Sequence, residues 1–368
     1  MHIVQLLPEL NQGGVERGTV ELSRELVLRG HRSTVISAGG AQVQTLVEEG
    51  GEHVRCDVCS KNPLTAPVRA VRLRRHLRRL KPDVIHARSR VPAWLAVFAN
   101  RSLRIPFVTT VHGFNSVSAY SAVMTKGDIV VCGSTAVRRH VEEHYRVAPS
   151  RLRVIPRGVD THYFDPGRST PGDAASFRER LGFADTDIVV AQIGRITELK
   201  GHDVFLRALA EARRDEPRLR GLIVGGAPPD KGGCLERLRE LANSLGLDQA
   251  AVFAGPSRDM RTVYAAADMV VSPTSAKPET FGRTVAEALA MNTPVVATAH
   301  GGVLDIVREG KDGFLFPPGD WQACAALLCR VATSPTARTR ERIVREMSLE
   351  TMTDSLLRVY REVAKPRG

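Results

Sequence analysis

Met269-Val270-Val271-Ser272, then Lys277-Pro278-Glu279-Thr280-Phe281-Gly282-Arg283-Thr284-Val285-Ala286-Glu287-Ala288-Leu289-Ala290, then Pro294-Val295-Val296-Ala297-Thr298, is one structural sentence. The two outer pieces are short, apolar and β-branched, which suits strands. Between them Thr280 to Thr284 reads as a loop, and Val285 to Met291 as a helix start, because Ala, Glu and Leu favour helix. Short apolar strands separated by a helix point to a parallel sheet covered on both faces. Glu279 and Glu287 bracket a run of backbone N–H groups. A helix N-terminus has unsatisfied donors and partial positive charge, so it suits a phosphate. Carboxylates accept hydrogen bonds from sugar hydroxyls. One segment therefore offers grips for a phosphate and for a polyol, the two halves of a nucleotide-sugar.

Working outward, the same strand–helix alternation fills the chain. In the first half, strands read at 2–7, 33–37, 83–86, 107–111, 128–132 and 153–155, with helices at 18–29 and 67–80 among the connections. The pattern restarts with strands at 188–193, 221–224, 252–254, 269–272, 294–298 and 313–316. Between the halves, 160–175 is rich in Pro, Gly, Asp and Ser, a linker composition. The stretch 347–363 is amphipathic at helical spacing. The fold class is α/β: two Rossmann-like, doubly wound parallel-sheet domains facing a cleft, with ligand expected at the carboxyl ends of the strands.

The length of 368 residues accommodates two ordinary domains, and 43% apolar residues supply both cores. No apolar run is long enough to span a bilayer. The N-terminus opens on a strand with no basic region before an apolar core, which predicts a cytoplasmic protein. The six cysteines are scattered. Cys56-x-x-Cys59 lacks the second pair that a metal site needs. Charge is lopsided. Residues 1–168 hold 25 of the 52 Lys and Arg but 14 of the 40 Asp and Glu, so +11 of the net +12 lies there. Its densest run is Arg69, Arg72, Arg74, Arg75, Arg78, Arg79 and Lys81, with Arg88 and Arg90 close behind. Spacings of three and four put most of the run on adjoining faces of one helix. Such a half implies an anionic partner (a phospholipid surface, a phosphorylated glycan or nucleic acid) or else a solvated Arg-rich face.

Several strand ends carry candidate chemistry. Gly13-Gly14 follows the first strand and opens a helix, where glycine lets backbone approach a phosphate, although an ordinary strand–helix turn reads the same. Gly194-Arg195-Ile196-Thr197-Glu198-Leu199-Lys200-Gly201 places a planar guanidinium and a mobile ammonium just past a strand end, fit to balance a diphosphate. Val111-His112-Gly113 sets a histidine at another, and His86 has similar placement. No G-x-G-x-x-G fingerprint, P-loop, nucleophile elbow or His-Glu-x-x-His cluster is present. Asp185-Thr186-Asp187 precedes a strand and reads as a turn.

Taken in order, these segments resemble the retaining GT-B glycosyltransferases of family 4. The shared marks are Gly13-Gly14-Val15-Glu16-Arg17, Val111-His112-Gly113, Ile155-Pro156-Arg157-Gly158-Val159-Asp160, Gly-Arg-x-x-x-x-Lys-Gly at 194–201, the Glu279-x7-Glu287 segment, Gly301-Gly302-Val303-Leu304-Asp305-Ile306-Val307 and Gly310-Lys311-Asp312-Gly313-Phe314-Leu315. The family's hinge usually has Asn where this chain has Arg157. The resemblance implies an acceptor-side domain at 1–165, a donor-binding domain at 166–349 and a last helix, about 350–368, crossing back onto the first. It implies that Glu287 holds the ribose and Glu279 the transferred sugar. Backbone N–H groups of Phe281, Gly282, Arg283 and Thr284 would meet sugar and diphosphate. Arg195 and Lys200 would neutralise the leaving group, His112 would contact the donor sugar, and Gly14 would touch phosphate. No protein nucleophile, cofactor or metal is implied, since two cations already stand at the diphosphate.

The donor expected is a UDP-linked hexose, with GDP-mannose as the alternative. The opening strand and His86-Ala87-Arg88-Ser89-Arg90 resemble bacterial enzymes of lipopolysaccharide core and surface-glycan synthesis. That implies an anionic glycan or glycolipid acceptor and peripheral association with the anionic cytoplasmic face of the inner membrane, with Arg72, Arg75, Arg79 and Arg88 on the acceptor or membrane side. The rival readings are another GT-B enzyme, a nucleotide-sugar epimerase or a phosphorylase-like enzyme, and a basic nucleic-acid-binding protein. Few aromatics interleave with the basic run and no recognition motif accompanies it, so no nucleic-acid partner is expected. The missing fingerprint disfavours a nicotinamide dehydrogenase.

Overall fold

Strand formation follows the apolar β-branched runs. The computed structural model describes residues 1–11, 13–227, 232–275, 277–334 and 339–364. Its first seven strands are β1 (His2–Leu6), β2 (Arg32–Ser37), β3 (Glu52–Arg55), β4 (Val84–Ala87), β5 (Phe107–Val111), β6 (Ile129–Cys132) and β7 (Leu152–Val154). They form one parallel sheet in the order β3-β2-β1-β4-β5-β6-β7. The second sheet holds β8 (Ile188–Ile193), β9 (Leu219–Val224), β10 (Ala251–Gly255), β11 (Met269–Ser272), β12 (Val295–Thr298) and β13 (Gly313–Phe316), in the order β10-β9-β8-β11-β12-β13. Strand order reverses beside β1 and β4 in one sheet and beside β8 and β11 in the other. In open α/β sheets, ligands bind outside the carboxyl ends at such switch points.

Successive strand residues face opposite sides of a sheet. Ile3, Val84, Val108 and Ile129 therefore join one buried cluster, while Val4, Ile85 and Val130 join another. The first cluster is closed by the last helix, Leu349–Ala364, through Leu349, Met352, Leu356 and Tyr360. The second is closed by the helices Ala66–Leu80 and Arg90–Asn100, through Leu73, Leu77, Leu95 and Ala96. Each such side chain contributes roughly 1.5–3 kcal/mol by leaving water.

The chain divides into one compact unit of Met1–Gly158 with Leu349 onward and another of Val159–Ser348. These borders lie seven residues before 165/166 in the first crossing and one residue before 349/350 in the second. The final four residues of the 350–368 segment lie outside those described. The two crossings of unit one meet closely, since a Cβ on Gly158 would fall 2.6 Å from Leu349 Cα.

Three expectations need correction. The 160–175 linker is structured. Phe164 is fully buried in the second unit's core, and a helix, Pro171–Arg180, begins inside the segment. Thr170 caps that helix by accepting from Asp173 N–H, and Pro171 sits in its first turn. The Pro, Gly and Asp content was a helix-start signal, because proline is tolerated at the first helical position. Second, β3 was not foreseen. Glu52-His53-Val54-Arg55 has one aliphatic residue and lies half-exposed at a sheet edge. Third, the helix expected over 347–363 starts two residues later and runs unbroken over Leu349–Ala364. A helix Arg340–Met347 ends, Ser348 is extended, and Leu349 starts the next.

Candidate active site

In the second unit, the ends of β8 and β11 bring Arg195, Lys200 and Glu279 into one region. Gly194 N–H bonds to Val224 O (2.9 Å) and Ile196 N–H to Gly226 O (3.0 Å), pinning the loop on either side of Arg195. Arg195 itself is exposed and has no side-chain partner among the described residues. Gly201, at φ +63°, turns the chain into the helix His202–Ala212. The turn brings the Lys200 ammonium onto Glu279 Oε1 in an ion pair, both side chains partly exposed. Thr274 Oγ1 donates to the same carboxylate oxygen at 3.2 Å. Gln192 Nε2 holds Lys200 O at 2.8 Å.

Glu279 stands in a loop clamped by glycines. Gly302 N–H donates to Glu279 O (2.7 Å), and a Cβ on Gly302 would fall 2.6 Å from Phe281 Cα. Phe281 is buried in the core and Gly282, at φ +96°, starts the helix Arg283–Ala290. No side chain caps that helix, so its first-turn donors lack a side-chain acceptor. Inside the helix, Glu287 is 4% exposed. Its Oε1 accepts from Arg283 Nε (3.0 Å) and its Oε2 from Tyr264 OH (2.9 Å). Arg283 and Tyr264 thus orient the Glu287 carboxylate. Thr284 lies half-buried in the first turn, its carbonyl 3.3 Å from Tyr264 OH.

The first unit holds its candidates at the ends of β1, β4 and β5. Gly14 opens the helix Gly14–Leu28, and a Cβ there would lie 2.9 Å from Arg157 Nη1. Arg157 Nη2 donates to His112 Nδ1 at 3.2 Å. A guanidinium only donates, so Nδ1 accepts and the ring proton sits on Nε2. Burial first, then Arg157, Arg88 and His86, hold His112 well below the usual histidine range, so the ring is neutral. Its Nε2 is buried with no hydrogen-bond partner among the described residues. A cavity of about 230 Å³ adjoins it, lined by Glu16, Arg88, Ser89 and Arg90 among others.

The structure brings Lys200 and Glu279 into contact in one unit, with Arg195 exposed on the Lys200 loop, and links Gly14 and His112 through Arg157 in the other. It separates Arg88 from the arginines grouped with it by sequence. Arg72, Arg75 and Arg79 are exposed on the helix Ala66–Leu80, whereas Arg88 is 6% exposed beside the His112 cavity. Sequence reading passed over Tyr264, Thr274 and His300. His300 follows β12, senses the Glu279 charge and, among the described residues, has no partner for either ring nitrogen. Its place after a strand's carboxyl end was the available signal. Arg157 was visible only as a departure from the family's Asn. Among the described residues, no group of three or more His, Cys, Asp or Glu is placed to hold a metal.

Two family models match the chain. "Glycosyltransferase Family 4" covers residues 12–163 and "Glycosyl transferases group 1" covers residues 173–347. A D-inositol 3-phosphate glycosyltransferase of Acidothermus cellulolyticus is 33% identical over 258 residues, 63% of this chain and 56% of that protein. The chain thus spans little more than half the length of such relatives. The crystal structure of a glycosyltransferase from Rickettsia africae superposes with a TM-score of 0.91 at 31% identity, covering 99% of both chains. Anabaena Alr3699/HepE, in complex with UDP-glucose, shares the fold with a TM-score of 0.85 at 23% identity, covering 98% of this chain and all of that one.

Proposed function

The chain belongs to the family 4 glycosyltransferases of the GT-B fold, and from that premise we propose that it moves a hexose, with retention, from a UDP-sugar to an anionic glycan or glycolipid. The observation that carries this reading is the Lys200–Glu279 pair at the β8/β11 switch point, beside unpaired Arg195 and an uncapped helix N-terminus. Cleaving the anomeric C–O bond develops positive charge on the sugar and negative charge on the diphosphate. Arg195, Lys200 and the 282–284 N–H groups stabilise the diphosphate as it departs. Glu279 accepts from hydroxyls of the transferred sugar, and Glu287, braced by Tyr264 and Arg283, accepts from the ribose. The acceptor hydroxyl attacks from the leaving-group face and its proton passes to the departing phosphate oxygen. Neutral His112 donates from Nε2 to the donor sugar, and Gly14 leaves room for phosphate. The Anabaena neighbour's UDP-glucose complex supports the choice of donor.

In this reading no metal is required, because two fixed cations do its work, and transfer persists in excess chelator. The enzyme works on lipopolysaccharide core or a related surface glycan, peripheral to the cytoplasmic face of the inner membrane. Among the described residues, no helix is long and apolar enough to cross a membrane.

A thermal-shift panel of nucleotide-sugars tests the donor, since selective binding to the native state raises the melting temperature. Glu279→Ala and Lys200→Ala then each lower transfer by at least about a hundredfold while the proteins melt cooperatively. Wild-type rates in either folded variant sink the site assignment. Isomerised sugar released without acceptor indicates an epimerase instead.

A further inference from the structure

Arg88 is a buried cation without a counter-ion among the described residues. It follows β4 at the strand-order reversal of the first sheet and is 6% exposed. Its side chain makes one hydrogen bond, from Nη1 to Gln5 Oε1 at 3.2 Å, while Nε is buried and unpartnered. Among the described residues it forms no ion pair, and Glu21 and Glu16 act on it only through their charge. Burial pulls its pKa down to about 10, with Tyr360, Glu21 and Glu16 opposing from farther away. A desolvated guanidinium left unpaired is costly, and an anionic ligand removes that cost.

The surroundings fit such a ligand. Arg88 lines the 230 Å³ cavity together with Ser89 and Arg90, the N-cap and first residue of the helix Arg90–Asn100. No side chain caps that helix and its first turn carries no acid, so its dipole and open N–H groups add positive potential. Arg90 is held in place, with Nη1 3.2 Å from Ser121 Oγ and its guanidinium 5.3 Å from the Tyr120 ring centroid. Glu16, an acceptor for hydroxyls, and His112 line the same cavity. One cationic pole beside a hydroxyl-accepting carboxylate selects a polyol bearing a single anionic group, in a cavity sized for one sugar ring.

We propose that this cavity is the subsite for a phosphate monoester carried by the sugar acceptor, with Arg88 and Arg90 gripping the phosphate at the N-terminus of the helix Arg90–Asn100. The proposal rests on the glycosyltransferase reading and deepens it by naming the acceptor's charged group.

Calorimetric titration of the full chain tests it, with a hexose 6-phosphate, the same hexose unphosphorylated, a hexuronate, inorganic phosphate and UDP as separate probes. The wild type binds the hexose phosphate at least tenfold more tightly than the hexose, the hexuronate or inorganic phosphate. Arg88→Gln and Arg90→Gln each remove at least tenfold of that affinity, and Arg101→Gln, a surface change on the same unit, does not. UDP binding is unchanged in all of them. If Arg88→Gln does not fold, Arg90→Gln and Arg90→Lys decide. The proposal is overturned by phosphate-independent binding, by equal affinity in wild type and Arg90→Gln, or by equal affinity for inorganic phosphate or hexuronate. Loss of UDP binding in the Arg90 variants also overturns it, by assigning the arginines to the donor. Failure of the wild type to bind UDP while the hexose phosphate still binds tells against the donor reading alone.

Discussion

At the residue scale, buried histidines give the molecule a pH dependence with a definite sign. His202, just past Lys200, is 2% exposed, and burial pulls its pKa from 6.5 to about 4. The folded state therefore binds fewer protons than the unfolded chain below pH 6.5. Stability falls as pH drops from about 6.5 toward 4, and is fully present above that window. For a shift of this size the loss between pH 7 and pH 5 is about 2 kcal/mol from this one group. His86 and His112, both shifted down chiefly by burial, add to it with the same sign. Replacing His202 with Gln removes one proton site, so denaturant unfolding of His202→Gln at the two pH values shows a loss about 2 kcal/mol smaller than wild type. An unchanged pH slope in a folded variant would mean that His202 protonates in place.

At the element scale, the clamp on the Glu279 loop is a glycine pair on a different connection. Gly301, at φ +66°, and Gly302 lie directly on the backbone of Glu279 to Phe281. Gly302→Ala introduces a Cβ 2.6 Å from Phe281 Cα, so one of the two connections must shift. Glu279 and the helix N-terminus move with it, and a displacement near 1 Å at a reacting centre costs about a hundredfold. Gly302→Ala therefore lowers transfer by one to two orders of magnitude, with only a small drop in melting temperature; full activity would show that the loop's placement is not set by this contact. The same element shows what sequence makes legible. The runs that form β5, β8, β11 and β13 are legible at their observed limits, because strands buried on both faces are dominated by aliphatic and aromatic residues. The edge strand β3 left none, and Pro171-Gly172-Asp173 was read for its turn-forming residues although Thr170 had already marked a helix start. Of the site, the Glu279–Glu287 segment and the Arg195–Lys200 loop were legible as local patterns. The Arg157–His112 bond and the Tyr264–Glu287 bond were not, since each joins residues distant in sequence whose meeting depends on strand order.

At the scale of the whole molecule, the compact units sharpen the charge asymmetry. The unit made of Met1–Gly158 and Leu349–Gly368 carries 28 of the 52 basic and 15 of the 40 acidic residues, a net +13, leaving −1 for Val159–Ser348. Much of the excess is concentrated on one helix. Along Ala66–Leu80, Val68, Val71, Arg72, Arg75, Arg78 and Arg79 are exposed at spacings of three and four, while Leu73 and Leu77 are buried against the sheet. Exposed Leu64 precedes this face. An outward face pairing aliphatic groups with arginines matches an anionic lipid surface, where each basic residue contributes about 1 kcal/mol within a Debye length. Replacing Arg72, Arg75, Arg78 and Arg79 together with Gln removes about 4 kcal/mol of that attraction, close to a thousandfold in partitioning. In flotation with vesicles rich in anionic lipid, the wild type rises with the vesicles at moderate salt and is released as salt shortens the screening length, and the fourfold variant stays behind at both. Wild-type binding indifferent to salt, or equal flotation of the variant, would remove the membrane from the account and leave the arginine face to the acceptor's own phosphates.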